Sequence, residues 1–213
     1  MKLFIWDFHG TLEKGTERAA YEITNRVLEE YGYPQRMDEA LVDRLYGKKW
    51  HEYFAYLLPH ESKETHMSLQ ERCFAVDLER PEIIKREIKP NDYARHVLAE
   101  IGSRHEQILI SNTSPERLRD FLEMTELSAF FPEERYFGRD AHQASATRSK
   151  KDVAEEYITP KEFERIVVIG DSPQDMIPLK NAVTYLYAHV GKPFGDCDAT
   201  YKIRDLREVL REM

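Results

Sequence analysis

Two short apolar runs in this 213-residue chain stop at an aspartate: Leu3-Phe4-Ile5-Trp6 at Asp7, and Ile166-Val167-Val168-Ile169 at Gly170-Asp171. Neither run alternates with polar residues, and both are rich in β-branched or aromatic side chains. Strands buried on both faces of a parallel sheet read in this way. Ile108 to Ile110 has the same character, as does Val183 to Tyr187, continuing towards Val190. Arg135 to Gly138 is a fifth candidate, and Thr200 to Ile203 a candidate edge strand.

Helical spacings separate the later strands: Ala94, Val97, Leu98, Ile101, then Leu118, Phe121, Leu122, then Val153, Ala154, Tyr157. Ser114-Pro115 and Ser172-Pro173 each predict a helix start, because Ser accepts a bond from first-turn amides and Pro at that position has no amide hydrogen to satisfy. The alternation predicts an α/β fold with a Rossmann-like parallel sheet and helices on both faces. Residues 14–89 read differently. They hold no strand-like run but three amphipathic stripes: Ala20, Ile23, Val27, Tyr31, then Trp50, Phe54, Leu57, then Leu69, Cys73, Val76. The expected organisation is an α/β domain of residues 1–13 and 90–213 with an inserted helical domain of residues 14–89.

Composition narrows the class further. Charged residues reach 33% and the net charge is −8, yet the apolar clusters are too dense for a disordered chain. An acidic chain offers no bulk attraction to nucleic acid, and no apolar run reaches the ~18 residues of a membrane helix. The N-terminal run ends too early for an export signal, so a cytoplasmic location is expected, with Cys73 and Cys197 as reduced structural thiols. Oligomeric state is left open.

In open α/β sheets ligands bind beyond the carboxyl ends of the strands. The residues at those ends are Asp7-Phe8-His9-Gly10-Thr11-Leu12, Ser111-Asn112-Thr113, and Gly170-Asp171-Ser172-Pro173-Gln174-Asp175, with Lys150-Lys151 opening the preceding helix. Asp7, Asp171 and Asp175 converging on one edge would repel one another without a hard divalent cation, and an all-oxygen set suits Mg²⁺. A cation held by carboxylates attracts phosphate. Ser111 and nearby amides could hold phosphoryl oxygens, a lysine could neutralise the remaining charge, and a carboxylate could attack phosphorus to give an aspartyl-phosphate.

These motifs, in this order at strand ends along essentially the whole chain, resemble the haloacid dehalogenase-like superfamily with a helical cap of the C1 type. The resemblance implies a Mg²⁺-dependent phosphatase for a small phosphorylated metabolite. Asp7 would be nucleophile and metal ligand, Ser111 and Asn112 the phosphate-binding residues, and Asp171 and Asp175 metal ligands directly or through water. The backbone carbonyl of His9 would be a further ligand. A lysine at 150 or 151 would face the site; Val153 turned to the core favours Lys150. The departure is His9, where most phosphatases of the superfamily carry a second aspartate as general acid and base. Histidine titrates near 6.5 and could serve both proton transfers; alternatively it marks a slow hydrolase or a non-catalytic phosphometabolite- or metal-binding protein, and a further alternative is a mutase-like phosphotransferase.

By the same resemblance, Tyr46-Gly47-Lys48-Lys49-Trp50 occupies the segment of the cap that reads substrate, with Lys48, Lys49 and Trp50 as specificity residues. Trp50 equally begins the apolar stripe of its helix. Arg139 and His142 precede Lys150 and either approach substrate or cover the site. His60, Glu61, Glu64 and His66 lack two-histidine helical spacing and read as a solvated segment rather than a metal cluster.

Overall fold

A computed structural model describes residues 1–45, 48–140 and 148–213; Tyr46, Gly47 and His142 lie outside them. The chain divides into two units, Met1–Lys14 with Lys89–Met213, and Gly15–Ile88. The first unit carries a six-stranded sheet built from β1 (Leu3–Trp6), β4 (Glu106–Ser111), β5 (Tyr136–Gly138), β6 (Ile166–Gly170), β7 (Ala182–Tyr187) and β8 (Tyr201–Ile203). Their order is β5-β4-β1-β6-β7-β8, and every pairing is parallel. β1 is central: Leu3 pairs with Glu106 on one side and Ile166 on the other, and Trp6 with Leu109 and Ile169. The chain builds outward from β1 through β4 to β5, then crosses to β6 on the other side, so the order reverses around β1, the place where open α/β sheets bind ligands.

Both faces of β1 are covered, which explains its unbroken apolar run. Leu3 and Ile5 join one core cluster with Ile108, Ile110, Ile166, Val168 and, from helix α8 (Lys150–Ile158), Val153 and Ala154. Phe4 and Trp6, of opposite parity, turn to the other face and are equally buried. The predicted stripes of α6 (Ala94–Gly102) and α7 (Pro115–Met124) are buried residue for residue, and Ser114 caps α7 by accepting the Arg117 amide.

Two expectations for the sheet unit fail locally. Ser172-Pro173 opens a single 3₁₀ turn over Pro173–Asp175 rather than a longer helix. Pro178 can donate no amide to such a helix and disfavours helical geometry at Ile177, whose own amide bonds back to Asp175. The strand expected to run towards Val190 ends at Tyr187, and Val190 is 87% exposed. Sequence reading also missed the antiparallel pair β2 (Glu13–Lys14) and β3 (Lys89–Pro90), the ribbon through which the chain leaves and re-enters the sheet unit.

The second unit comprises α1 (Thr16–Glu30), α2 (Glu39–Arg44), α3 (Trp50–Leu57), α4 (Lys63–Glu79) and α5 (Pro81–Glu87). Its buried stripe on α1 is Ala19, Ile23, Thr24, Val27 and Leu28; Tyr31, assigned to it from spacing, lies past the last turn and is half exposed. Gly15 opens the unit at φ 105°, and a Cβ there would stand 2.1 Å from the Glu87 carbonyl oxygen, so only glycine fits. His66, expected in a solvated segment, is buried, and its Nε2 meets the Leu58 carbonyl at 2.9 Å. His60, Glu61 and Glu64 are exposed.

Candidate active site

Asp7 follows β1 directly, and its amide donates to the Ile169 carbonyl at 2.9 Å, continuing the pairing one residue beyond the strand. This fixes the carboxylate beside the end of β6. Thr11 Oγ1 donates to Asp7 Oδ2 at 3.4 Å. From the first turn of α8, Lys150 reaches Asp7 Oδ1 at 2.5 Å and Asp175 Oδ1 at 2.6 Å. Ser149 makes that placement possible: its hydroxyl accepts the Asp152 amide while Asp152 accepts the Ser149 amide, a capping box that sets the helix start one residue before Lys150.

Asp175 is held from the other side. Its Oδ2 accepts the Ser172 amide at 3.0 Å and the Ser172 hydroxyl at 2.6 Å, so the 3₁₀ turn folds the carboxylate back under the end of β6. A Cβ on Gly170 would lie 2.1 Å from the Asp175 Cβ, which accounts for glycine there. Asp7, Asp171 and Asp175 each present a carboxylate oxygen within 4.8 Å of the others. Three hard oxygen donors at that separation fit a divalent cation of the Mg²⁺ type. Burial first, and then the Asp175 charge, push the Asp7 carboxyl from 3.8 up to about 6, against Lys150 and His9. Burial pulls the Lys150 ammonium down, but Asp7 and Asp175 outweigh it and hold it above the ordinary lysine value. Lys150 is 5% exposed, whereas Lys151 is exposed and pairs with Glu155.

His9 stands at the rim of this cluster. Its Nδ1 meets Glu13 Oε1 at 2.9 Å and its Nε2 meets Thr113 Oγ1 at 3.0 Å. The ring also packs edge-on against Phe8 and Phe121, each at 5.1 Å between centroids. The turn that places it is tight: Thr11, Leu12 and Glu13 all send their amides to the Phe8 carbonyl, with Gly10 at φ 76°. Glu13 was not singled out from sequence, and Thr113 stood only in the strand-end segment Ser111-Asn112-Thr113 without a role; the available signal for the pair was a histidine and a glutamate four residues apart.

Ser111 ends β4 and is buried, and its hydroxyl accepts the Thr113 amide at 3.3 Å. Asn112 Oδ1 accepts from the Arg139 guanidinium at 2.5 Å, which also donates to the Arg148 carbonyl at 2.6 Å. Arg139 is thus an organiser of the loop after β4. In the helical unit Lys48 is exposed and pairs with Glu52 at 3.4 Å, the Lys49 amide donates to Glu52 at 2.8 Å, and Trp50 packs edge-on against Phe74 at 5.0 Å.

Solved structures resemble this chain over its whole length. A haloacid dehalogenase-like hydrolase from Streptococcus pneumoniae superposes with a TM-score of 0.75 at 17% identity, covering 99% of this chain and 97% of that one. A candidate beta-phosphoglucomutase from Thermotoga maritima gives 0.69 at 21%, covering 100% and 99%. A predicted phosphatase from Clostridium acetobutylicum gives 0.72 at 18%, covering 99% and 97%. At these identities the likeness establishes the fold. No curated protein matches the chain. A family model does: haloacid dehalogenase-like hydrolase, over residues 1–182, a span that includes every carboxylate of the cluster, and by it the chain belongs to that family.

Proposed function

We propose that this hydrolase is a Mg²⁺-dependent phosphatase that cleaves a small phosphorylated metabolite through an aspartyl-phosphate on Asp7. The observation that carries the reading is the buried Asp7 at the end of the central strand, touching Lys150 and within 4.8 Å of the Asp171 and Asp175 carboxylates. Asp7, Asp171 and Asp175, with the His9 carbonyl, would hold the cation. When bound, it supplies charge neutralisation at the phosphoryl oxygens.

Asp7 is a competent nucleophile where it is ionised, above about pH 6, and Lys150 holds one of its oxygens in place. Oδ2 attacks phosphorus as the ester oxygen departs, and His9, entering this step as the imidazolium, gives the departing oxygen a proton from Nε2. Water then attacks the phosphorus of phospho-Asp7 while His9 takes the water's proton, releasing phosphate and restoring the carboxylate. Ser111 and Asn112, at the end of the strand beside β1, serve the phosphoryl oxygens, with Lys150 balancing their charge. Substrate selection falls to the helical unit through Lys48 and Lys49, with Trp50 supporting them from its contact with Phe74.

The test is hydrolysis of an aryl phosphate with and without Mg²⁺. Turnover requires Mg²⁺, Asp7→Asn lowers it by at least about a thousandfold, and His9→Ala lowers it roughly 10²- to 10⁴-fold. Absence of Mg²⁺-dependent turnover across a panel of phosphoesters would falsify the reading. The likeness to a candidate beta-phosphoglucomutase favours one second reading, phosphoryl transfer to a sugar. In that case phospho-Asp7 is discharged faster by a sugar phosphate than by water.

A further inference from the structure

We infer that Glu13 is the positioning residue for His9: it holds the proton of the neutral imidazole on Nδ1 and leaves Nε2 bare. The inference rests on the role proposed for His9, but its structural core is independent of activity. Glu13 is 1% exposed, a burial that carboxylates rarely accept without strong partners. Its Oε1 takes two of them, His9 Nδ1 at 2.9 Å and the Gly10 amide at 3.3 Å. Its Oε2 is buried and has no hydrogen-bond partner among the described residues. Fold stability gains little from such a group: an apolar side chain would leave no buried oxygen unsatisfied. The arrangement makes sense as a device for the imidazole.

Glu13 Oε1 accepts the Gly10 amide, and an oxygen that accepts there accepts from the ring as well, so Nδ1 is the donor of that contact. Nε2 of the neutral ring is then the acceptor, and Thr113 Oγ1, 3.0 Å away, is the donor to it. The ring plane is fixed by Phe8 and Phe121 on its flanks. His9 therefore presents a single basic nitrogen, on the side of the loop after β4, where Ser111 and Asn112 lie. A chain with histidine two residues beyond its nucleophile needs this second carboxylate, because an unanchored imidazole can turn over and carry its proton on either nitrogen.

The experiment is ¹⁵N NMR of the histidine rings in the whole protein at about pH 9, above the range where imidazole titrates, with His9 assigned through His9→Gln. Protonated and bare ring nitrogens have well-separated shifts. The inference predicts Nδ1–H for His9 in the wild type, the same tautomer in Glu13→Gln, whose amide oxygen still accepts, and loss of that preference in Glu13→Leu. Steady-state kinetics on an aryl phosphate then show Glu13→Leu lowering kcat about 10- to 100-fold, with KM within about twofold of wild type and partial recovery in Glu13→Gln. An Nε2–H tautomer in the wild-type protein overturns the inference, as does an unchanged Nδ1–H tautomer in Glu13→Leu. The wild-type measurement needs no variant to fold. A wild type that shows the Nδ1–H tautomer but no turnover with any phosphoester refutes the phosphatase reading and leaves the positioning by Glu13 standing.

Discussion

At the scale of single residues, the site is governed by a carboxylate that resists ionisation. Asp7 sits at about 6 because burial and Asp175 oppose its charge more than Lys150 and His9 favour it. The sign of the consequence follows. A folded value above the ordinary 3.8 means that this group's contribution to stability is complete below about pH 4 and lost as pH rises through about 6. A cation at the three carboxylates reverses the preference, because it competes with the proton for the same oxygens. Mg²⁺ affinity, measured by isothermal titration calorimetry, should therefore fall about tenfold for each pH unit below about 6 and level off above it. The position of Asp7 was legible in the sequence because a short apolar run ending in aspartate leaves few folds open. The His9–Glu13 pair was not. A separation of four residues ordinarily reads as one face of a helix, whereas here a tight turn with Gly10 at positive φ brings the two together across a β-bridge.

At the scale of elements, each side chain of the candidate site owes its place to how its segment starts or stops. Lys150 faces Asp7 because Ser149 sets the first turn of α8, and the spacing to Val153 made the choice over Lys151 readable. Asp175 reaches the cluster because the chain after β6 makes a 3₁₀ turn instead of the helix that Ser172-Pro173 suggests. That difference was invisible to local propensity, since it depends on the Asp175 side chain bonding Ser172 and on close passage over Gly170. Gly170→Ala tests it. The added methyl group must displace Asp175, so the variant should lose about 1–3 kcal/mol of stability by overpacking and weaken Mg²⁺ binding at least about tenfold. Denaturant unfolding and calorimetry read the two effects, and normal Mg²⁺ affinity in this variant would contradict the proposed metal role of Asp175.

For the whole molecule, the central strand organises the α/β unit: β1 brings Asp7 between the ends of β4 and β6, and the strand order reverses around it. The parallel sheet was readable because strands buried on both faces advertise themselves as unbroken apolar runs. The short β2–β3 ribbon was not, because two-residue strands carry no pattern. A cation that binds only the folded cluster stabilises that unit by mass action, about 3 kcal/mol at a hundredfold excess over Kd. Scanning calorimetry at neutral pH should show the unfolding of the sheet unit moving up by roughly 5–10 °C with Mg²⁺, and no shift in Asp171→Asn.

The central claim is that phosphorus passes through Asp7, and it is met most directly by trapping the intermediate. Borohydride added during turnover of an aryl phosphate reduces an acyl phosphate to an alcohol, converting the side chain that carried it to homoserine, which peptide mass spectrometry locates. The account predicts homoserine at position 7 only when both substrate and Mg²⁺ are present, and none elsewhere. Sustained turnover with position 7 unmodified, or with the label at Asp171 or Asp175, would contradict it.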